Sequence, residues 1–226
     1  MRLRRNGDSV LAAELRRYAV RMFAEHVRYV RNIDLGQTMV KAGDVLDLGP
    51  IGARFHVRRT STDTDGKLLA MEWVLLPRSS GTPIHIHPAA VESYEVLEGE
   101  LDLYVNGRWT KLAVGEEASV NPGVPHTFRN SSDSQTRVYN VHAPAMRFGE
   151  YFGGIDRVVR SGKVPHDRMS LKTVLYLSLL MTSFADEIAS VRPPQRLMKG
   201  LATLARLLGY RLPASRDPSA APHNTR

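Results

Sequence analysis

The amino-acid sequence predicts a mainly β domain, an all-β sandwich or barrel, with a helix before it and a helical extension after it. Short apolar runs broken by Gly, Pro, Asn and Asp fill residues 38–145, which is typical of β-strands. Residues 9–31 and 170–211 instead repeat apolar side chains every three or four positions, the period of an amphipathic helix. We expect four parts: an N-terminal helical arm at 1–37, a β domain at 38–145, a helical extension at 146–212 and a disordered tail at 213–226.

Local signals place several element boundaries. Asp8 or Ser9 can cap the first helix. The Asn106-Gly107 pair predicts a two-residue hairpin, because both turn positions need a positive φ. Ser170 predicts the start of a helix that runs to the residues before Pro193, and a second helix follows at 196–211.

Composition excludes several classes of protein. The chain has 226 residues and no cysteine, so disulfides, zinc-thiolate sites and iron–sulfur clusters are ruled out. No apolar run reaches the roughly 18 residues that a membrane span needs, and no secretory signal is evident, so we expect a cytoplasmic location.

The formal net charge of +8 is unevenly distributed. Residues 1–31 carry +5 and residues 192–226 carry +6, which leaves −3 on the body between them. A neutral-to-acidic body argues against nucleic-acid binding. The basic arms could instead contact an anionic membrane surface or an acidic partner.

The segment HIHPAAVE at 85–92 concentrates potential metal ligands. His85 and His87 are two residues apart, so on a strand they point to the same face. A following hairpin could bring Glu92 beside both imidazoles. His126, which follows a Gly/Pro-rich turn, is the best candidate for a further ligand. Two histidines on a strand are nevertheless more often ordinary polar residues, so the spacing alone does not decide the matter.

Two spaced motifs resemble those of the cupin superfamily, whose members are small jelly-roll barrels. The first motif is His85-x-His87-x4-Glu92-x6-Gly99, preceded by Gly81 at a shorter spacing than is usual. The second motif is Gly115-x5-Asn121-x-Gly123-x2-His126-x3-Asn130, with asparagine where the family has proline. The resemblance covers about residues 40–145. It implies a cupin-like jelly-roll β-barrel in which His85, His87, Glu92 and His126 are the metal ligands.

Such a ligand set suits a mononuclear working metal. Three neutral imidazoles and one carboxylate leave a divalent ion with a net charge of +1, and an octahedral ion keeps two positions for water, O₂ or substrate. Imidazole ligands favour Fe, Ni, Cu or Zn, and the carboxylate also allows Mn. The open positions favour a working metal, and because such sites are used for oxygenation in the family, the resemblance implies a metal-dependent enzyme, a dioxygenase-type oxidoreductase, with a small organic molecule as substrate. The alternatives are a metal-dependent isomerase or lyase, and a non-catalytic binding or sensor module.

Other residues have two interpretations each. Trp73, Tyr94, Tyr104 and Phe128 could line a substrate lumen, although such residues are more often core. Glu72 could face the lumen or the solvent, and His142 is expected at the surface or in the lumen rather than as a fifth ligand.

The two arms also have two interpretations. A leucine stripe on the last helix is expected to pack against the barrel or a second subunit, which favours a homodimer, although a basic amphipathic helix can also lie on a membrane surface. The stripe consists of Leu197, Leu201, Leu204 and Leu208.

Overall fold

The protein is known here from a computed structural model, which describes residues 40–213. Within that range ten strands precede the first helix: β1 Val45–Leu48, β2 Ala53–Arg59, β3 Leu69–Leu75, β4 Ile84–Ile86, β5 Val91–Glu98, β6 Leu101–Val105, β7 Arg108–Leu112, β8 Glu117–Val120, β9 His126–Arg129 and β10 Thr136–Ala143. Two 3₁₀ turns, Gly49–Ile51 and Thr62–Thr64, interrupt them. The remaining elements are α1 Phe148–Arg160, α2 Leu171–Ser183, β11 Ala189–Arg192 and α3 Gln195–Leu207.

The strands form two antiparallel sheets, which confirms the predicted mainly β, jelly-roll fold. The six-stranded sheet has the order β1-β2-β3-β10-β5-β8, and the five-stranded sheet has the order β11-β4-β9-β6-β7. Strands β5 and β10 alternate buried and half-buried residues, so each strand presents one face to the interior. Stacked rings fill that interior, with the Phe55 and Trp73 centroids 4.4 Å apart.

The predicted hairpin is confirmed. Val105 pairs with Arg108 across the turn, and Asn106 and Gly107 have φ values of 46° and 96°. Both values lie in the left-handed region that a two-residue hairpin turn requires.

The extension after the barrel is not purely helical, so the prediction of one helix from Ser170 to Pro193 is wrong at its end. Ser170 caps α2 as predicted, because its side chain accepts a hydrogen bond from the Thr173 N–H. The helix, however, ends at Ser183. Asp186 and Glu187 follow it, and negative charge is unfavourable at the C-terminus of a helix dipole. The chain then returns to the barrel as β11 and pairs with the open edge of β4.

The leucine stripe of the last helix does not form its packed face. Met198, Ala202 and Ala205 are the buried residues of α3, which packs against α2. Three residues of the stripe are about half exposed: Leu197, Leu204 and Leu208. Small alanines allow the close approach of α2, which the leucine pattern alone does not reveal.

Some predictions concern residues that the structure does not describe. The N-terminal helix at 9–31 and the tail beyond residue 213 lie outside the described residues and stay predictions. Among residues 40–213, no helix is long and apolar enough to cross a membrane.

Candidate metal centre

The four predicted ligands come together inside the barrel. Each of them offers one ligand atom, and these atoms all lie within 4.8 Å of one another. All four side chains are buried. The four residues are His85, His87, Glu92 and His126.

Local backbone structure explains the convergence. His85 lies on β4 and His87 directly follows its last residue, Ile86, so both imidazoles are buried while Ile86 between them is half-buried. His126 opens β9 and pairs with His85 in the register of the sheet. The turn before His126 is tied to the end of β4, because the Gly123 N–H donates to the His87 carbonyl at 2.9 Å.

Glu92 joins the histidines. Its Oε2 lies 3.0 Å from His87 Nε2 and 2.8 Å from His126 Nε2. Its Oε1 accepts a hydrogen bond from the Asn140 amide at 2.9 Å and lies 3.4 Å from His142 Nε2. The carboxylate is therefore the centre of a buried polar cluster.

In each predicted histidine ligand, Nδ1 forms a hydrogen bond with a backbone carbonyl. Nδ1 of His85, His87 and His126 donates to the carbonyls of Pro83, Glu187 and Val124 at 2.8, 2.7 and 2.8 Å. Because a carbonyl only accepts, the proton of each neutral ring is on Nδ1. The Nε2 lone pairs of His87 and His126 then face a carboxylate oxygen, which is repulsive unless a cation lies between them. That cation is either a proton or a metal ion, and hydrogen bonds of this kind fix the tautomer of metal-bound histidines.

The pKa shifts reflect this concentration of charge. Burial by itself would raise the pKa of Glu92, but its electrostatic interaction with His142 and its hydrogen bonds with His126 and His87 hold it well below its usual range. Burial would lower the pKa of His126, yet its hydrogen bond to Glu92 raises it. Burial and the neighbouring imidazoles hold the pKa of His85 well below its ordinary value. The carboxylate is thus ionised inside the barrel and stabilises positive charge beside it.

Two residues of the cluster were not predicted to take part in it. Asn140 and His142 lie two apart on β10, directly across from Tyr94 and Glu92 on β5. His142 is in the lumen, one of the two places expected for it, and burial lowers its pKa to about 3. In the sequence, the two-residue spacing of Asn140 and His142 indicates that they share one face of a strand, as it does for His85 and His87. Only the register of β10 against β5 shows that this face lies beside Glu92.

The remaining candidates separate into lumen, core and surface. Trp73 and Phe128 line the lumen, and Tyr94 is buried beside Glu92, whose charge adds to the burial that raises the Tyr94 pKa. Tyr104 is half-buried and packs against Trp109. Glu72 points away from the site: its carboxylate bonds Arg58 at 2.6 Å and Arg137 at 2.7 Å. Asn130 is buried and bonds the backbone of its own turn and of the end of β3.

The extension after the barrel contributes directly to the site. The carbonyl that orients His87 belongs to Glu187, in the turn that leads into β11. Ser190 on β11 pairs with His85 on β4. The Phe148 ring of α1 lies against His142 and His87, with centroids 4.3 and 4.9 Å apart. The extension therefore supports two of the histidines and covers one side of the cluster.

A cavity of about 140 Å³ lies beside the cluster. Barrel residues such as Phe55, Trp73 and Phe128 form one part of its wall, and residues of α1 and α2 such as Phe152 and Leu177 form another. His85, His87, Glu92 and His142 also line it. The site thus has a polar cluster that faces a largely apolar chamber.

Residues 71–142 match the model of the Cupin_2 family, described as a Cupin domain. The matched range contains all four predicted ligands and both sequence motifs. This part of the chain is therefore a cupin domain.

Individual relatives are more distant. The HTH-type transcriptional regulator PuuR of Escherichia coli (strain K12) is 28% identical over 111 residues, which are 49% of this chain and 59% of PuuR. The chain thus spans less than two thirds of that relative's length.

The solved structures that match are also distant from this chain. TT1209 from Thermus thermophilus is 33% identical, with 35% of this chain and 74% of that chain covered and a TM-score of 0.34. A predicted oxalate decarboxylase from Thermotoga maritima is 17% identical, with 47% and 99% covered and a TM-score of 0.42. Likenesses at these TM-scores assign no activity.

Proposed function

We propose that the protein is a mononuclear metal-dependent enzyme, a dioxygenase-type oxidoreductase that acts on a small organic molecule. Its metal ligands are His85, His87, Glu92 and His126. The main support for the proposal is that Nδ1 of His85, His87 and His126 each donates a hydrogen bond to a backbone carbonyl beside one buried carboxylate. The Nε2 lone pairs are therefore free to bind a cation next to that carboxylate.

The donor set fits a divalent transition metal. Imidazole and carboxylate together suit Fe, Mn, Ni, Cu or Zn, whereas calcium and magnesium sites use oxygen ligands. A structural zinc site normally closes its coordination with cysteine, and the chain has none. A redox-active metal held by these residues would supply electrons to O₂, and any of these metals would polarise a substrate oxygen.

The protein residues hold and tune this centre. Glu92 supplies the single negative charge, and the Asn140 amide fixes its carboxylate by donating to Oε1. The Glu187 carbonyl fixes the ring of His87. Phe148 packs against His87 and His142 and limits the access of water from that side. Such outer contacts commonly change metal affinity by about 10- to 100-fold.

Reconstitution and oxygen uptake test the proposal together. The full-length protein is loaded in turn with Fe, Mn, Ni, Cu and Zn, and oxygen uptake is followed on a panel of phenols and diketones. We expect metal binding, and uptake only with a redox-active metal. Metal binding without uptake under any condition would refute the oxygenase and favour an isomerase or lyase.

A second candidate is a non-catalytic sensor module, which one comparison favours. The curated relative PuuR is named a transcriptional regulator, and its match covers about half of this chain. In such a role the barrel captures a small ligand and the flanking segments transmit its binding to a partner. A ligand that binds at the metal centre and is recovered chemically unchanged would support this candidate.

The assembly that we propose is a homodimer. The exposed leucines of α3 form an apolar strip on the described surface, and Leu207 is 81% exposed. Strips of this kind in basic helices are buried either by a second subunit or by a membrane surface. Sedimentation of the intact protein tests for the second subunit, and binding to anionic vesicles tests for the membrane surface.

A further inference from the structure

We propose that the chamber beside the cluster binds a molecule about one ring in size, with an uncharged apolar body and a single oxygenated group directed to the metal. The inference deepens the proposed function and rests on it for the position of that group. It excludes sugar phosphates and dicarboxylates, which carry a charge away from the end that faces the metal.

The size of the chamber limits the ligand. Its volume is about 140 Å³. An apolar protein cavity of about 150 Å³ accommodates a benzene molecule. The chamber therefore takes a body of about one six-membered ring or an aliphatic fragment of similar volume.

The wall is apolar away from the cluster. The barrel contributes aromatic rings, and α1 and α2 contribute branched and long aliphatic side chains. Representative wall residues are Phe55, Phe128, Phe152, Ile155, Leu177 and Met181. Transfer of an apolar ligand from water to such a surface contributes roughly 25 cal/mol for each Å² buried.

Charge complementarity argues against a charged group in the body of the ligand. Among the described residues, the chamber wall contains no lysine or arginine, and Glu92 is its one carboxylate. Outside the histidine cluster, the polar wall residues Thr82, Tyr151 and Thr173 are uncharged. A phosphate or carboxylate group placed away from the metal would lose its hydration without gaining a positive partner in the wall, which is costly.

Two wall residues favour a ligand with a polar atom over a pure hydrocarbon. Trp73 Nε1 and His142 Nδ1 are buried and have no hydrogen-bond partner among residues 40–213. Unpaired buried polar atoms are rare in native proteins. His142 Nε2 faces the Glu92 carboxylate at 3.4 Å, so the ring proton is on Nε2 and Nδ1 is an acceptor. A ligand hydroxyl can satisfy such an acceptor, whereas a pure hydrocarbon cannot.

Isothermal titration of the full-length protein with three probes tests the inference. Phenol has a ring and one oxygen, toluene replaces that oxygen by a methyl group, and benzoate replaces it by a charged group. In the metal-free protein we expect phenol and toluene to bind, and benzoate, whose carboxylate meets the Glu92 carboxylate, to bind at least about tenfold more weakly. We expect zinc loading to tighten phenol binding but not toluene binding. Benzoate binding to the metal-free protein as tight as that of phenol overturns the inference, as does failure of both neutral probes to bind.

A matched pair of variants locates the binding. Leu177 and Leu201 are half-buried leucines within α2 and α3, and only Leu177 lines the chamber. We expect Leu177→Trp to weaken phenol and toluene at least about tenfold and Leu201→Trp to leave both unchanged. Ile155→Phe, which fills the chamber from α1, repeats the test if Leu177→Trp does not fold. Equal effects of the lining and control variants overturn the inference.

Metal content, measured in every sample, separates this inference from the proposed function. Full metal occupancy with no binding of either neutral probe refutes the chamber and leaves the metal centre standing. Binding of phenol and toluene by a protein that retains no metal after reconstitution supports the chamber and refutes the metalloenzyme.

Discussion

Replacing Asn140 by alanine tests how much a residue that contacts the Glu92 carboxylate, without being a proposed metal ligand, contributes to metal affinity. Asn140 is fully buried, and its amide donates to Glu92 Oε1 at 2.9 Å and to the Ser93 carbonyl at 3.2 Å. Without the amide, Glu92 Oε1 loses this hydrogen bond and keeps the longer contact with His142 at 3.4 Å. The carboxylate then loses the contact that fixes its rotation.

The expected magnitude follows from these contacts. Loss of an outer hydrogen bond to a metal ligand weakens metal binding by about 10- to 100-fold, which is about 1.4–2.7 kcal/mol. The hydrogen bond to a charged acceptor also contributes about 1.5–3 kcal/mol to stability. We therefore expect Asn140→Ala to weaken metal binding and to lower the free energy of unfolding of the metal-free protein by a few kcal/mol.

Asn130→Ala is the matched control. Asn130 is also fully buried, but its side chain bonds backbone groups such as the Leu76 and Ser134 carbonyls, and it makes no contact with the cluster. It should destabilise the protein to a similar extent and leave metal affinity within about twofold. Competitive metal titration with a chromophoric chelator and urea unfolding are measured on both variants. Equal metal affinities in Asn140→Ala, Asn130→Ala and the native protein would refute the reasoning.

Three further predictions concern charge and assembly. Glu92→Gln keeps the size of the side chain but removes its charge, so metal binding should weaken by more than about tenfold while the fold persists; unchanged affinity in a chelator competition would show that Glu92 is not a ligand. For Glu72, burial raises the pKa but the hydrogen bonds from Arg58 and Arg137 lower it below 4.5. The resulting stabilisation, about 1 kcal/mol or less, is present above pH 4.5 and is lost as the pH falls through the folded pKa. Urea unfolding of Glu72→Gln and native protein should therefore differ at pH 7 and converge as the pH falls through the folded pKa of Glu72, and a constant difference would be contrary to this assignment. Leu204→Glu together with Leu207→Glu should reduce the sedimentation coefficient to that of a monomer; a native protein that is already monomeric would dispose of the proposed dimer.

The sequence could predict the barrel and the candidate ligand set because both depend on short-range patterns. The two-residue spacing of His85 and His87 determines their common face on any strand. The Asn106-Gly107 turn is determined by the φ values that those two residues tolerate. The proposed metal ligands were found through two motifs that the chain shares with the cupin superfamily, and not through spacing alone.

The rest of the site depends on contacts between distant segments. Asn140 and His142 join the cluster through the register of β10 against β5, which the sequence of either strand does not fix. The Glu187 carbonyl reaches His87 because residues 189–192 leave the helical pattern and pair with β4. The leucine stripe was expected to form the packed face of α3, but the face that contains Ala202 and Ala205 packs instead, since close packing against α2 requires small side chains.

The central claim is that the buried cluster binds one divalent transition metal in a barrel that folds without it. Metal content after reconstitution, measured on native protein and on His126→Ala with thermal unfolding of both metal-free proteins, tests it most directly. We expect about one equivalent per native chain, released on acidification as the imidazoles become protonated. We expect near-zero content in His126→Ala, and cooperative unfolding in both metal-free proteins. Less than about a tenth of an equivalent in the native protein, or equal content in His126→Ala, would contradict the metal centre, and a metal-free native protein without a cooperative transition would mean that the metal is structural.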